Sequence, residues 1–355
     1  MARPVAVVTG ASAGVGRATA VSLAERGFDV ALLARGEAGL AAAAAEVETV
    51  GRRALPVPTD VAVWEEVDAA ADRIERELGE IDVWVNNAMT TVFAPLTDTD
   101  PADIKRATEV TYLGQVHGTM AALRRMRPRD RGRVVDVGSA LAYVGIPLQG
   151  AYCGAKFACR GFFESVRAEL IEADSNVTIS MVHLPAINTP QFSWCRTALP
   201  HHPQPVPPIY QPEVAAARIV DVVFDTPRST VLGSWNRLIV AGSKIAPSVY
   251  SHFAARTAVQ GQQTDQPVDA DRPSNLRSPV DDRQAWGARG EFNDRAEGVR
   301  DPGFVASLPQ QAVSLGKALA AAIVFKASRG ARRAALEAQL SAGSTTGRLD
   351  HEVNA

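Results

Sequence analysis

"VAVVTGASAGVG", residues 5–16, decides the fold. Its opening "VAVV" is a short, solid apolar run, which suits a strand buried on both faces, as strands of a parallel sheet are. Gly10, Gly14 and Gly16 follow. A helical pattern then runs through Val21, Leu23 and Ala24 and stops at Gly27, a residue type that ends helices. A strand feeding a helix through glycines starts a crossover unit. It also leaves free N–H groups and the positive end of a helix dipole at a turn that a pyrophosphate can approach closely. The spacing is G-x-x-x-G-x-G rather than G-x-G-x-x-G, so the turn by itself also reads as a plain tight connection.

The same alternation repeats outward from this unit. "DVALLAR" (29–35), "ALPVPTDV" (54–61), "IDVWVNNA" (81–88), "RVVDVGSA" (133–140) and "VTISMVHLPA" (177–186) read as further strands. Between them lie helical stretches to about Val50, over Val63–Leu78, over about 101–127 and over about 150–173. Strands alternating with crossover helices predict an α/β fold, a doubly wound parallel sheet. Right-handed crossovers then bring every strand exit to one edge, where such sheets bind ligands.

Past residue 190 the pattern changes. "TALPHHPQPVPPIYQP" is a proline-rich arm, a helix is expected at about 212–225, and "STVLGSW" could be a last strand. The expected division is a dinucleotide-binding and catalytic domain over 1–235 and a C-terminal extension over 236–355. Residues 260–303 are polar with few apolar anchors and are expected to be poorly ordered. Residues 308–341 are Ala-rich and expected to be helical. Their stripe of Leu315, Leu319, Ala322 and Ile323 beside Lys317, Lys326, Arg329, Arg332 and Arg333 suits docking on the domain or a subunit, with peripheral contact to an anionic membrane as the less favoured alternative.

The chain has 355 residues, is 46% hydrophobic and carries a net charge of −2, so no overall attraction to nucleic acid is expected. Three cysteines are too few and too odd in number for a disulfide framework, and a reducing cytoplasm is the expected compartment. His201 and His202 with Cys195 match no zinc spacing, so no metal is expected.

"AYCGAK" (151–156) sets Tyr152 one helical turn before Lys156, and Ser139 stands just past the strand that precedes them. A phenol has a pKa near 10 and is a weak base at neutral pH. An ammonium at i+4 shares its helix face and favours the phenolate. With a serine hydroxyl to hold the substrate oxygen, the set can move a proton to or from a carbonyl/alcohol pair while a nicotinamide exchanges hydride. Arg35 stands at the exit of the second strand, where an acid would hold ribose hydroxyls and an arginine accommodates a 2′-phosphate. NADP(H) is therefore the expected cofactor, with NAD(H) as the second choice.

In that order and spacing, "TGASAGVG", "NNA", "GSA" and "YCGAK" resemble the short-chain dehydrogenase/reductases of the single-domain Rossmann type, over about residues 1–230. The resemblance implies Ser139, Tyr152 and Lys156 as the catalytic set. It implies cofactor contacts from Gly10, Ser12, Gly14, Val15 and Gly16 in the turn, and from Arg35, Asp60 and Val61 at the adenosine end. Asn86, Asn87 and Ala88, then Pro185 and Thr189 of "LPAINT", are implied along the crevice, with Tyr152 and Lys156 touching the cofactor as well. Two positions depart from the pattern. Met89 replaces the glycine of "NNAG", and Thr111 in "VTYLG" replaces the asparagine of the family's tetrad, leaving a hydroxyl as the candidate stand-in. The expected partners are a small carbonyl or alcohol substrate, apolar if Phe192 and Trp194 line its pocket, and a second copy of the chain. A cofactor-binding scaffold or regulator, and a nucleotide-sugar epimerase or dehydratase, are the rival readings.

Overall fold

The computed structural model describes residues 3–298. Seven strands form its main sheet: β1 (Val5–Thr9), β2 (Asp29–Ala34), β3 (Ala54–Pro58), β4 (Ile81–Asn86), β5 (Arg133–Ser139), β6 (Thr178–Leu184) and β7 (Ser229–Val231). Their order in space is β3-β2-β1-β4-β5-β6-β7, and every neighbouring pair is parallel. The strand order reverses at β1, which pairs with β2 on one side and β4 on the other. That reversal opens a crevice at the carboxyl edge.

The helices of this layer are α1 (Gly14–Glu25), α2 (Glu37–Thr49), α3 (Trp64–Glu77), α4 (Pro101–Thr108), α5 (Gly114–Met126), α6 (Gly150–Glu172) and α7 (Pro212–Asp225). Two cores result, one on each face of the sheet. Ala6 and Val8 of β1 point into the first with Leu23, Leu40, Val47 and Val222. Val5 and Val7 point into the second with Val67, Ile74, Met126 and Phe163. Because both faces are covered, β1 is apolar at successive positions instead of alternating.

The helix expected over 101–127 is broken. Asp100 caps α4 by accepting from the Ala102 N–H, with Pro101 following it, and a single π-helical turn at Glu109–Leu113 then leads into α5. Thr111 sits in that turn, where the extra residue shifts the helix face.

The expected boundary near residue 235 falls inside α8 (Ser234–Ile245), which is followed by α9 (Pro247–Gly261). Residues 260–298, expected to be poorly ordered, are placed against the rest of the chain. Gln263–Pro267 pairs antiparallel with His201–Pro203 of the proline-rich arm. Beyond it, Leu276 is buried among Val92, Ala94 and Ala107, and Phe292 among Phe93, Phe192 and Leu199. Trp286 meets Trp194 edge-on at 5.2 Å. The segment has few apolar residues, but Leu276, Trp286 and Phe292 dock, and backbone hydrogen bonds to the domain add to them. The helix expected over 308–341 lies outside the described residues. Among those described, no helix is long and apolar enough to cross a membrane.

Candidate active site

A cavity of about 580 Å³ runs along the carboxyl edge of the sheet. It begins in the glycine turn. Gly10 and Gly14 have φ of +66° and +60°, which side chains rarely tolerate. Gly16 does something else: a Cβ there would lie 2.2 Å from the Gly10 carbonyl oxygen, so its bareness lets α1 close onto the turn. Gly10, Ser12, Gly14 and Val15 line the cavity, as do Arg35, Asp60, Val61, Asn87, Ala88, Ser139, Tyr152, Lys156, Pro185 and Thr189. Gly16, Asn86 and Thr111 are not among the lining residues.

At one end β5 delivers Ser139 and α6 delivers Tyr152 and Lys156. Ser139 Oγ accepts from the Leu141 N–H at 3.1 Å, which fixes its rotamer at the strand exit. Burial pushes the Tyr152 phenol well above its usual pKa, opposed by a hydrogen bond with Ser139. Lys156 Nζ lies 5.8 Å from the centre of the Tyr152 ring but donates to the Val137 carbonyl at 2.7 Å. Burial lowers the lysine's pKa, against the pull of Cys159 and Asp136. Burial thus opposes the lowering of the phenol's pKa that a neighbouring lysine favours.

Behind the lysine is a buried polar cluster. Asp136 accepts from Asn86 Nδ2 at 2.9 Å and from Gln115 Nε2 at 3.0 Å, and burial raises its pKa to about 7 against that Asn86 bond and the Lys156 charge. Asn86 also donates to Thr119 Oγ1 and accepts from Trp84 Nε1. It therefore ties β4 to β5 and α5 under the cavity floor, while its neighbour Asn87 faces the cavity and donates to the Thr9 carbonyl at 2.9 Å. Thr111 is not brought to Lys156. Its hydroxyl donates to the Thr90 carbonyl at 2.9 Å and accepts from the Thr90 N–H at 3.0 Å, and its carbonyl takes the Cys159 thiol. The hydroxyl thus closes the loop after β4 and has no link to the lysine.

The other end of the cavity is polar. Asp60 accepts from the Ala62 N–H and pairs with Arg106. Arg35 leaves β2 and hydrogen-bonds the carbonyls of Asn275 and Arg277. Those partners leave no sequence signal, because they are backbone atoms some 240 residues away. The inner wall beyond Tyr152 was also missed in part. Leu141, Val144, Ile146, Trp235, Ile239, Tyr250 and Phe253 join Phe93, Phe192 and Trp194 there. Trp235 and Ile239 come from α8 and Tyr250 and Phe253 from α9, helices that carry no motif. Only their apolar spacing could have pointed to them.

The residues fit a nicotinamide dinucleotide. The bare glycine turn admits a backbone-bound diphosphate, and the polar end and the Tyr152 end of one cavity match the two ends of such a molecule.

Comparison with known proteins agrees with this geometry. The chain is 32% identical over 277 residues to the uncharacterised oxidoreductase YxnA of Bacillus subtilis strain 168, covering 77% of this chain and 76% of that one. A metagenomic short-chain oxidoreductase solved in complex with NADP superposes with a TM-score of 0.53 at 25% identity, over 62% of this chain and 90% of the other. NAD+-bound xylitol dehydrogenase superposes at 0.50 with 32% identity, over 52% and 70%. The model of the short chain dehydrogenase family matches residues 4–198, from the first strand through α6 to the segment after β6. With more than half its length matched in this way, the chain belongs to the short-chain dehydrogenase family.

Proposed function

We propose that this oxidoreductase interconverts a carbonyl and a secondary alcohol with NADP(H), Tyr152 acting as the general acid and base. The observation that carries the reading is the meeting of Tyr152, Ser139 and Lys156 in the cavity that the glycine turn opens into. A nicotinamide, when bound, supplies or accepts hydride at the reacting carbon. The chain's own residues manage the oxygen. In reduction the phenol of Tyr152 gives its proton to the carbonyl oxygen, and in oxidation it takes that proton back. Ser139 holds the same oxygen through its hydroxyl. The Lys156 ammonium steadies the phenolate that forms when the proton leaves.

NADP(H) is favoured over NAD(H) because β2 ends in Ala34 and is followed by Arg35, with no acid there to hold ribose hydroxyls. The substrate is apolar beyond its reacting oxygen, since aromatic and aliphatic side chains make the wall beyond Tyr152. A panel of ketones and secondary alcohols, followed by nicotinamide absorbance with both cofactors, tests this. Turnover of apolar members with NADPH is expected. No hydride transfer to or from any member would overturn the reading.

A further inference from the structure

The C-terminal segment crosses the adenosine end of the cavity and is pinned there by the family domain. The Gly39 N–H donates to the Asp281 carbonyl at 2.9 Å, and the Gly14 N–H to the Gly287 carbonyl at 3.1 Å. Arg106 Nε donates to the Leu276 carbonyl at 3.1 Å, and Arg277 pairs with Asp103 at 2.6 Å. Arg35 holds the carbonyls of Asn275 and Arg277, as above.

Two glycines make room for one carboxylate. A Cβ at Gly36 would lie 1.9 Å from Asp281 Oδ1, and one at Gly39 would lie 2.4 Å from Oδ2. Neither glycine has a positive φ, so space explains their bareness. Gly39 lies inside α2, where glycine costs about 1 kcal/mol of helix propensity relative to alanine. The Asp281 side chain belongs to a residue only 7% exposed, and it lines the cavity beside Ser12 and Arg35. Among the described residues its carboxylate accepts no hydrogen bond and forms no close ion pair, and it meets the Arg35 guanidinium through charge alone. By contrast, Asp282 Oδ1 accepts from the Glu37 N–H at the start of α2. A largely buried carboxylate that accepts no protein hydrogen bond and faces a cavity is placed to take donors from a ligand.

We propose that Asp281 is a cofactor-specificity residue, whose carboxylate accepts from the ribose hydroxyls of a nicotinamide dinucleotide and repels a 2′-phosphate. It supplies from the C-terminal segment the acid that β2 lacks. Arg35 and Asp281 therefore act in opposite senses at one place, and Asp281 is the reason NAD(H) is admitted beside NADP(H). This rests on the reading that the cavity holds such a dinucleotide.

The test is titration of the full chain with NADPH and NADH by nicotinamide fluorescence. Asp281→Asn is expected to shift the affinity ratio toward NADPH by about tenfold or more, the scale of one charged hydrogen bond. Arg35→Ala is expected to shift it the other way. Asp282→Asn, whose carboxylate is already bonded to the helix, is expected to change the ratio far less. Thermal melting of Asp281→Asn near the wild-type value shows that the segment stays docked. An unchanged ratio in that folded variant overturns the proposal, as does an equal shift in Asp282→Asn. Binding of neither cofactor by the wild type would overturn the proposed function itself, and this inference with it.

Discussion

Lys156 lies within 5.8 Å of the Tyr152 ring centre, yet its ammonium is bonded to the Val137 carbonyl of β5. The lysine satisfies a strand carbonyl, and the proposed mechanism gives it a second task, to face the charge on Tyr152 when the phenol gives up its proton. Replacing it should expose both.

Lys156→Ala is expected to leave the Val137 carbonyl without a donor, costing about 1–3 kcal/mol of stability. It should also move the pH optimum of alcohol oxidation to more alkaline values, because the phenolate loses its cation. A pH–rate profile checks the second effect. An unchanged optimum would confine the lysine to structure.

Thr111→Ala separates two roles for the hydroxyl in the π-helical turn. Its partners are the N–H and carbonyl of Thr90, so stability should fall by about 1–3 kcal/mol, the cost of a buried backbone group left unpaired. The pH profile should keep its shape. A displaced profile at unchanged stability would instead mark a part in the proton relay.

Leu276→Ala probes the docking of the C-terminal segment. Leu276 is 1% exposed, and core truncations of this kind cost about 2–5 kcal/mol. Urea unfolding should show a loss near the lower end of that range, since Leu276 belongs to a small cluster. A loss below about 0.5 kcal/mol, typical of a surface site, would mean that the segment does not pack.

His183 bears on acid stability. Burial lowers its pKa to about 4, against the hydrogen bond to the Ser139 carbonyl, and its other ring nitrogen meets the Tyr143 hydroxyl at 3.1 Å. The unfolded chain takes up a proton near pH 6.5 that the folded chain refuses until about pH 4. This residue's contribution is thus intact above about pH 6.5 and is lost as the pH falls toward 4, by up to about 3 kcal/mol. Asp136, raised to about 7, acts in the opposite sense over the same window. The comparison is therefore with His183→Gln, whose melting temperature should fall less steeply on acidification than the wild type's. Parallel slopes would contradict the assignment.

The sheet was legible because both of its faces are covered. "VAVV" and "VALLA" are apolar throughout, and each is followed by a helix. The glycine turn, Ser139, Tyr152 and Lys156 were legible for a related reason, since backbone approach and proton transfer each demand particular residue types at fixed offsets. The role of Asn86 was not, because "NN" does not say which side chain faces the crevice and which faces Asp136. The π-helical turn left no mark either, since one extra residue in a helix hardly alters its periodicity. The packing of residues 262–298 was hidden because their order rests on a few separate anchors, Leu276, Trp286 and Phe292, and on bonds from Arg35, Gly14 and Gly39 to carbonyls, which any sequence supplies.

The most direct test of the account is single-turnover hydride transfer by Tyr152→Phe, with NADPH and a ketone that the wild type reduces. The substitution removes one oxygen from the side chain, so the fold and cofactor affinity should hardly change. The rate should fall by about 10²–10⁴-fold, the usual share of a general acid. A rate close to the wild type's, with cofactor binding intact, would mean that Tyr152 does not carry the proton.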